Sequence, residues 1–257
     1  MIPLSWHTDF VVLITRTGSH AYGLAGPDSD EDYQGTALSP VSWLIGFPPA
    51  DHAHTVVSHY PDDRTVHTLT KFCRLALQAN PTLLDSLFCR DQDVVYQTIT
   101  GQILRQHRDW FLSQRVYAAY SGYARDQLRR MRNHNTPQGS HADLIARYGY
   151  DTKNAMHLIR LLLMAKTALQ DGRIDVYRSD REFLLSIRQG HYSAATIQDM
   201  AEALDADCQI LRIRSVLPPV PDTSAIENWL MTVHQAWIAG DSTLLQEIPA
   251  PSVSRFE

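Results

Sequence analysis

The residues best equipped for chemistry lie between Gly18 and Asp32, in the run Gly-Ser-His-Ala-Tyr-Gly-Leu-Ala-Gly-Pro-Asp-Ser-Asp-Glu-Asp. A Gly-Ser pair is followed, across a short loop, by Asp30 and Asp32. Gly18 allows the backbone to approach a phosphate closely, and Ser19 offers it a hydroxyl and an N–H. Asp30 and Asp32 project from one face if both lie on an extended chain. Two carboxylates held that close repel unless a divalent cation lies between them, and Mg²⁺ prefers carboxylate oxygens completed by substrate phosphates. The parts are those of metal-dependent phosphoryl transfer. The competing reading is a solvated, Asp-rich turn, which Gly23, Gly26, Pro27 and Asp28 favour.

The surrounding pattern supplies elements that can position these groups. Phe10-Val-Val-Leu-Ile-Thr15 is apolar and β-branched, so a strand is expected over residues 10–17. A second strand through Tyr33 to Leu38 is expected to carry the Asp pair. Residues 40–49 read as a connection or short helix. A third strand is expected near Thr65 to His67, after the turn signal Pro61-Asp62-Asp63. Phe72, Leu75, Ala76 and Ala79 recur with helical period over 69–79, and Pro81 can open the next helix, through Phe88. Strand pairing continues around Val94-Val-Tyr96.

The second half reads as helical. Helices are expected over 113–132, from Asp151 to just before Gly172, near 181–189 and 193–211, and over 224–238 beyond the Pro218-Pro-Val-Pro221 break. Residues 133–141 read as a mobile loop, and the tail from Pro249 as loose. The fold class expected is α+β: a small mixed β-sheet domain over 1–111, followed by an α-helical C-terminal domain over 112–257, with the site between them.

The chain has 257 residues, 44% apolar and 20% charged, enough for a substantial core. A net charge of −5 argues against indiscriminate nucleic-acid binding over the whole surface, though a local basic groove stays possible. Cys73, Cys89 and Cys208 lack zinc or disulfide spacing, and Cys73 and Cys89 are expected as buried thiols. No signal-peptide pattern or membrane-length apolar run is visible, so a cytoplasmic protein without membrane partners is expected.

Gly18-Ser19 followed by Asp30-x-Asp32 resembles the signature of the polymerase-β-like nucleotidyltransferase superfamily. With Ala21-Tyr22-Gly23 and Asp28-Ser29-Asp30-Glu31-Asp32 it is similar to one bacterial and phage branch of predicted nucleotidyltransferases. Leu69 to Leu75, Asn80-Pro81, Leu84 to Phe88, Tyr150 to Leu161 and Ile187 to Gly190 extend the resemblance over nearly the whole chain. It implies transfer of a nucleoside monophosphate from a nucleoside triphosphate (ATP among them) to an acceptor, with pyrophosphate leaving. It also implies two divalent ions, Mg²⁺ or Mn²⁺, held by Asp30 and Asp32 with the triphosphate, and leaving phosphates fixed by Gly18 and Ser19. A third carboxylate is expected on an adjacent strand, as metal ligand or base for the acceptor hydroxyl. Asp63 is the choice and Asp62 the runner-up, against the reading of Pro61-Asp-Asp63 as a plain turn.

Further residues are candidates for phosphate. His20 sits in the signature loop and either contacts phosphate or orders the loop. Lys71, in a first helical turn, reaches phosphate or pairs with a nearby acid. Lys153, His157 and Arg160 share a helix face opposite a core stripe of Leu158, Leu162, Ala165 and Leu169, and are either a solvated basic face or a polyphosphate contact. Arg125, Arg129, Arg130 and Arg132 form a basic cluster that reads as a solvated helix end or an RNA contact. His52, His54, His59 and His67 lack ligand spacing. The acceptor stays open among RNA, a protein hydroxyl and a small molecule. The alternatives are a non-catalytic nucleotide or RNA binder and a metal-dependent phosphohydrolase.

Overall fold

The computed structural model describes residues 6–27, 29–59, 63–132 and 140–248. Asp28, Asp62, residues 133–139 of the loop expected over 133–141 and the tail from Pro249 therefore lie outside the described residues, while Ser140 and His141 open a helix. The chain divides into two compact units. One holds the residues up to Phe111 together with those from Pro221 onward; the other holds Leu112–Val220.

The first unit is built on a five-stranded mixed sheet of order β3-β4-β2-β1-β5, formed by β1 (Val11–Thr17), β2 (Asp32–Ala37), β3 (Thr55–Ser58), β4 (Asp63–Thr68) and β5 (Val94–Gln97). β1 is antiparallel to β2 and β5, and β3 to β4, while β2 and β4 run parallel. β1 lies inside the sheet, between β2 and β5, and carries a continuous buried run, Val12 to Thr15, as a strand covered on both faces must. One core cluster gathers Trp6, Ile14, Ala37 and Val66, with Phe10, Trp43 and Tyr96 packed against it. Short helices α1 (Trp6–Asp9), α2 (Gly18–Tyr22) and α3 (Val41–Ile45) lie in the connections. Helices α4 (Leu69–Leu77), α5 (Pro81–Phe88) and α6 (Ile99–Gln106) follow. Asn80 caps α5, its side chain accepting from the N–H groups of Thr82 and Leu83, with Pro81 at the first turn.

In the second unit, α7 (Arg115–Arg132), α8 (Ser140–Tyr148), α10 (Arg181–Arg188) and α11 (Ala194–Ile213) all pack on α9 (Thr152–Asp171). Asp151 caps α9 through the Asn154 N–H at 3.0 Å, and Gly172 ends it at φ +70°.

The expected domain limits need one correction. The last helix, α12 (Thr223–Ile238), belongs to the sheet unit, where it packs on α3 and α4. Its Trp237 explains why: the indole N–H donates to the Ser39 carbonyl at 2.9 Å, and its ring meets Phe10 edge-on at 5.1 Å. All three cysteines are free and buried, and burial pushes each thiol up. Among the described residues no helix is long and apolar enough to cross a membrane.

Candidate active site

Strand register brings Asp32 and Asp63 together. They are the first residues of the parallel strands β2 and β4 and stand as direct partners across the ladder. Neighbouring strands lie about 4.8 Å apart, and in-register partners point to the same face. On its other side Asp32 partners Thr17, the last residue of β1, whose hydroxyl donates to the Asp32 carbonyl at 3.3 Å. The chain turns from Thr17 into Gly18, which takes φ +65°. A Cβ at Gly18 would overlap Oδ2 of Asp32, so this glycine is required both by backbone conformation and by contact with that carboxylate.

Thr17, Gly18, Tyr22, Asp32, Asp63 and Arg64 are among the residues lining a cavity of about 330 Å³. Asp63 is exposed, and its Oδ1 accepts from the His59 Nδ1–H at 2.6 Å. Glu31, between the two motif aspartates, is engaged elsewhere. The Tyr33 hydroxyl donates to it at 2.6 Å and Arg16 lies 3.3 Å away. That hydrogen bond to Glu31 is the main reason the Tyr33 phenol is held above its usual value, with burial second. The Arg64 guanidinium sits over the ring of Tyr33, its partner across the ladder, at 5.5 Å.

Asp30 departs from the expected geometry. β2 starts only at Asp32, so the two motif acids do not share a strand, and Asp30 is exposed on the connection outside the cavity lining. The cause is turn chemistry: the Gly26 N–H donates to the Ser29 hydroxyl at 2.9 Å, and the Ser29 N–H to the Gly26 carbonyl at 3.2 Å. His20 serves this turn, its Nε2 donating to the Ser29 carbonyl at 3.2 Å. Ser19 is half-buried in α2, and its carbonyl accepts from the Leu24 N–H at 2.8 Å.

The remaining expected phosphate ligands are on α4 and α9. Lys71 lines a different cavity, where its ammonium is bonded to the carbonyl and carboxylate of Asp51 at 2.9 and 3.0 Å. Lys153, His157 and Arg160 are on α9 in the helical unit. The alternative of a solvated basic face does not hold for the whole stripe: Lys153 and His157 are half-buried, Arg160 is only 6% exposed, and its Nη1 approaches the Met164 sulfur at 3.1 Å.

Several site residues were not singled out from sequence. The Tyr22 hydroxyl donates to the buried Asp85 carboxylate at 2.5 Å, tying α2 to α5. Next to it, the Thr15 and Ser86 hydroxyls are 2.7 Å apart, tying β1 to the same helix. The signal was available: Asp85-Ser86 interrupts Leu83-Leu84 and Leu87, and a polar pair inside an apolar helix must find partners when buried. Arg64 and Thr82 also line the cavity, and no local pattern marks either for it.

The donor set suits a hard divalent cation. Asp32 and Asp63 lead neighbouring strands as register partners, and the Asp32 carboxylate lies against the bare Gly18 backbone. Among the described residues no group of three His, Cys, Asp or Glu side chains forms a ready cage for an ion. Mg²⁺ takes one or two carboxylates and completes its shell with water and substrate phosphates.

A solved structure, that of a nucleotidyltransferase-like protein from Exiguobacterium sibiricum, is similar at 12% identity, covering 88% of this chain and 74% of that one with a TM-score of 0.30. Among curated proteins none matches. Residues 6–231 match the RNA repair pathway DNA polymerase beta family, a span that includes the Gly-Ser turn, both strand-leading aspartates and the helical unit; the chain belongs to that family.

Proposed function

We propose that the chain is a metal-dependent nucleotidyltransferase that moves a nucleoside monophosphate from a nucleoside triphosphate to an acceptor hydroxyl. The observation that carries this is the register of Asp32 on Asp63 with the Gly18 backbone pressed against Asp32. Asp32 and Asp63 would hold the divalent cation, with Asp30 as a third carboxylate from the connection ahead of β2. The bound ion supplies charge neutralisation for the triphosphate and its leaving pyrophosphate. Gly18 and Ser19 would fix the leaving phosphates. Asp63 orients the acceptor hydroxyl and takes its proton, while the His59 N–H steadies that carboxylate. The attack is in line at the α-phosphorus, so the chain contributes positioning and electrostatics.

The family description makes RNA the first acceptor to test. The protein is incubated with each α-labelled nucleoside triphosphate, Mg²⁺ or Mn²⁺, and RNA carrying free 3′-hydroxyls. Labelled RNA together with pyrophosphate is expected. Free nucleoside monophosphate would make the protein a phosphohydrolase, and tight nucleotide binding with no turnover would make it a binder. Chelation of the divalent ion is expected to abolish labelling and its return to restore it.

A further inference from the structure

A second cavity, of about 380 Å³, lies at the other end of the same two parallel strands. β2 and β4 begin at Asp32 and Asp63; beyond their far ends, Ser39, Thr68 and Thr70 line this cavity. Six residues of strand put roughly 20 Å between the two places. All of its lining belongs to the sheet unit.

One wall is apolar: Trp43, Leu44, Pro48 and Pro49. Trp43 is held in place by edge contacts from Trp6 at 5.9 Å and His54 at 5.2 Å between ring centroids. Facing groups are cationic or polar. Lys71 and Arg74 project from α4, and His54 and His234 come from the 51–54 turn and from α12. Both imidazoles are positioned by hydroxyls, His54 by Thr68 at 3.2 Å and His234 by Thr70 at 3.4 Å. Burial lowers the His234 pKa, which leaves a neutral ring able to donate and accept.

The two cations are bridged by one carboxylate that reaches in from the exposed connection. Asp51 Oδ2 is 3.0 Å from the Lys71 ammonium, and Oδ1 is 3.7 Å from Arg74. The Lys71 side chain is only 16% exposed, whereas that of Asp51 is 71% exposed. An ammonium so far withdrawn from water needs an anion. Here the anion is tethered by a short turn at the cavity mouth rather than built into the core. A carboxylate in that position occupies the place of a ligand's charged group.

We infer that this cavity is a second ligand site for a small phosphorylated heteroaromatic molecule of the nucleoside monophosphate type. Its phosphate is held by Lys71 and Arg74, and its planar body lies along the Trp43–Pro49 wall. The volume lies within the range of small-molecule pockets and exceeds what a bare inorganic anion needs. Thr70, His54 and His234 provide the few directional polar contacts that fix orientation. Asp51 competes with the phosphate for the same cations and weakens binding.

The test is equilibrium binding to the full chain in chelator, with adenosine monophosphate, adenosine, inorganic phosphate and a 5′-phosphorylated tetraribonucleotide as probes. Saturable binding of the monophosphate is expected, with adenosine and phosphate each weaker by about tenfold or more, because each lacks one half of the recognition. Lys71→Met and Arg74→Gln should each weaken it by about tenfold, as expected for a lost charge-assisted hydrogen bond. Asp51→Asn should tighten it, and Asp32→Asn should leave it unchanged. Arg74 is mostly exposed, so its variant reports on binding even if Lys71→Met fails to fold. The inference is overturned by absence of saturable binding up to about 1 mM, by indifference to Arg74→Gln, by loss of binding in Asp32→Asn, or by binding of the tetranucleotide alone.

Discussion

The two ends of the β2–β4 pair carry opposite charge, and they do so by different means. At the leading end, Asp32 and Asp63 are strand residues whose adjacency is a consequence of parallel register. At the trailing end, Lys71 and Arg74 are helix residues brought to Asp51 by a connecting turn. A ladder fixes the backbones of Asp32 and Asp63 side by side, so two carboxylates are available to a cation without any rearrangement of the main chain. Cations matched by a turn already have their counter-ion and need only exchange it. The first arrangement suits a preorganised metal site, where electrostatics must be in place before reaction. The second suits reversible capture of an anion.

The sharpest way to break this contrast is Asp32→Asn. The amide keeps the shape but removes the charge that would hold the ion. Several kcal/mol of charge stabilisation should go with it, lowering the labelling rate by about a hundredfold or more. Thermal stability should change little, or rise, because one of two adjoining negative charges is gone. Asp63→Asn should come close to the same loss, and Asp30→Asn should cost less, since Asp30 lies off the ladder. Equal losses at Asp30 and Asp32 in single-turnover assays would mean that the connection ahead of β2 rearranges onto the site.

Gly18→Ala tests the same end through the backbone. Alanine at φ +65° costs about 1 kcal/mol in conformation alone, and its methyl group would displace the Asp32 carboxylate. A modest fall in denaturant midpoint should accompany a larger fall in rate, roughly tenfold or more. A variant that loses stability yet keeps its full rate would show that Gly18 serves the turn and not the carboxylate.

Arg160→Ala separates the sheet ends from α9. A buried arginine truncated to a methyl group loses packing and leaves neighbouring polar atoms exposed to an empty space, so about 1–3 kcal/mol of stability should go. Arg160→Met should recover part of it, because the stem is replaced. Unchanged melting with weakened triphosphate binding would return Arg160 to the phosphate contact expected from its spacing with Lys153 and His157.

What was legible in the sequence follows from range. The Gly-Ser turn, the strand before it, the α5 start at Asn80-Pro81 and both α9 termini are set by neighbours within four residues, and turn, cap and glycine chemistry at that range is readable. The placement of Asp63 on the strand beside β2 was reachable because the turn signal at Pro61-Asp62-Asp63 precedes a β-branched run. Asp30 was expected on the second strand, which begins only at Asp32, because the Gly26–Ser29 turn just ahead of it is not visible as a strand limit in the i, i+2 spacing. The burial of Arg160 was missed because helical period alone gives one core stripe, and α9 is surrounded by four helices. The capture of α12 by the sheet unit depends on Trp237 meeting Ser39 and Phe10, a contact across most of the chain that no window contains.

The smallest expected effect sits on β4 itself, whose first residue is Asp63 and whose fifth is His67. His67 is buried with Nδ1 against the Thr55 hydroxyl at 2.8 Å, and desolvation, helped by the Lys71 charge, brings its pKa down from 6.5 to about 4. The folded chain therefore keeps this imidazole neutral where the unfolded chain has begun to protonate it. Above pH 6.5 neither state carries the proton and the contribution to stability is complete. As pH falls from 6.5 toward 4 only the unfolded state gains the proton, so stability drops across that window and levels off below it. His67→Gln should flatten this part of the stability profile, leaving a remaining slope from His234, whose pKa burial also lowers. Denaturant midpoints at pH 7.5, 6, 5 and 4 would read the difference. The contrast between the two ends predicts that the same substitution leaves labelling at pH 7.5 unchanged, because His67 belongs to the trailing end of the strand. A matching loss of rate would couple the two ends through β4.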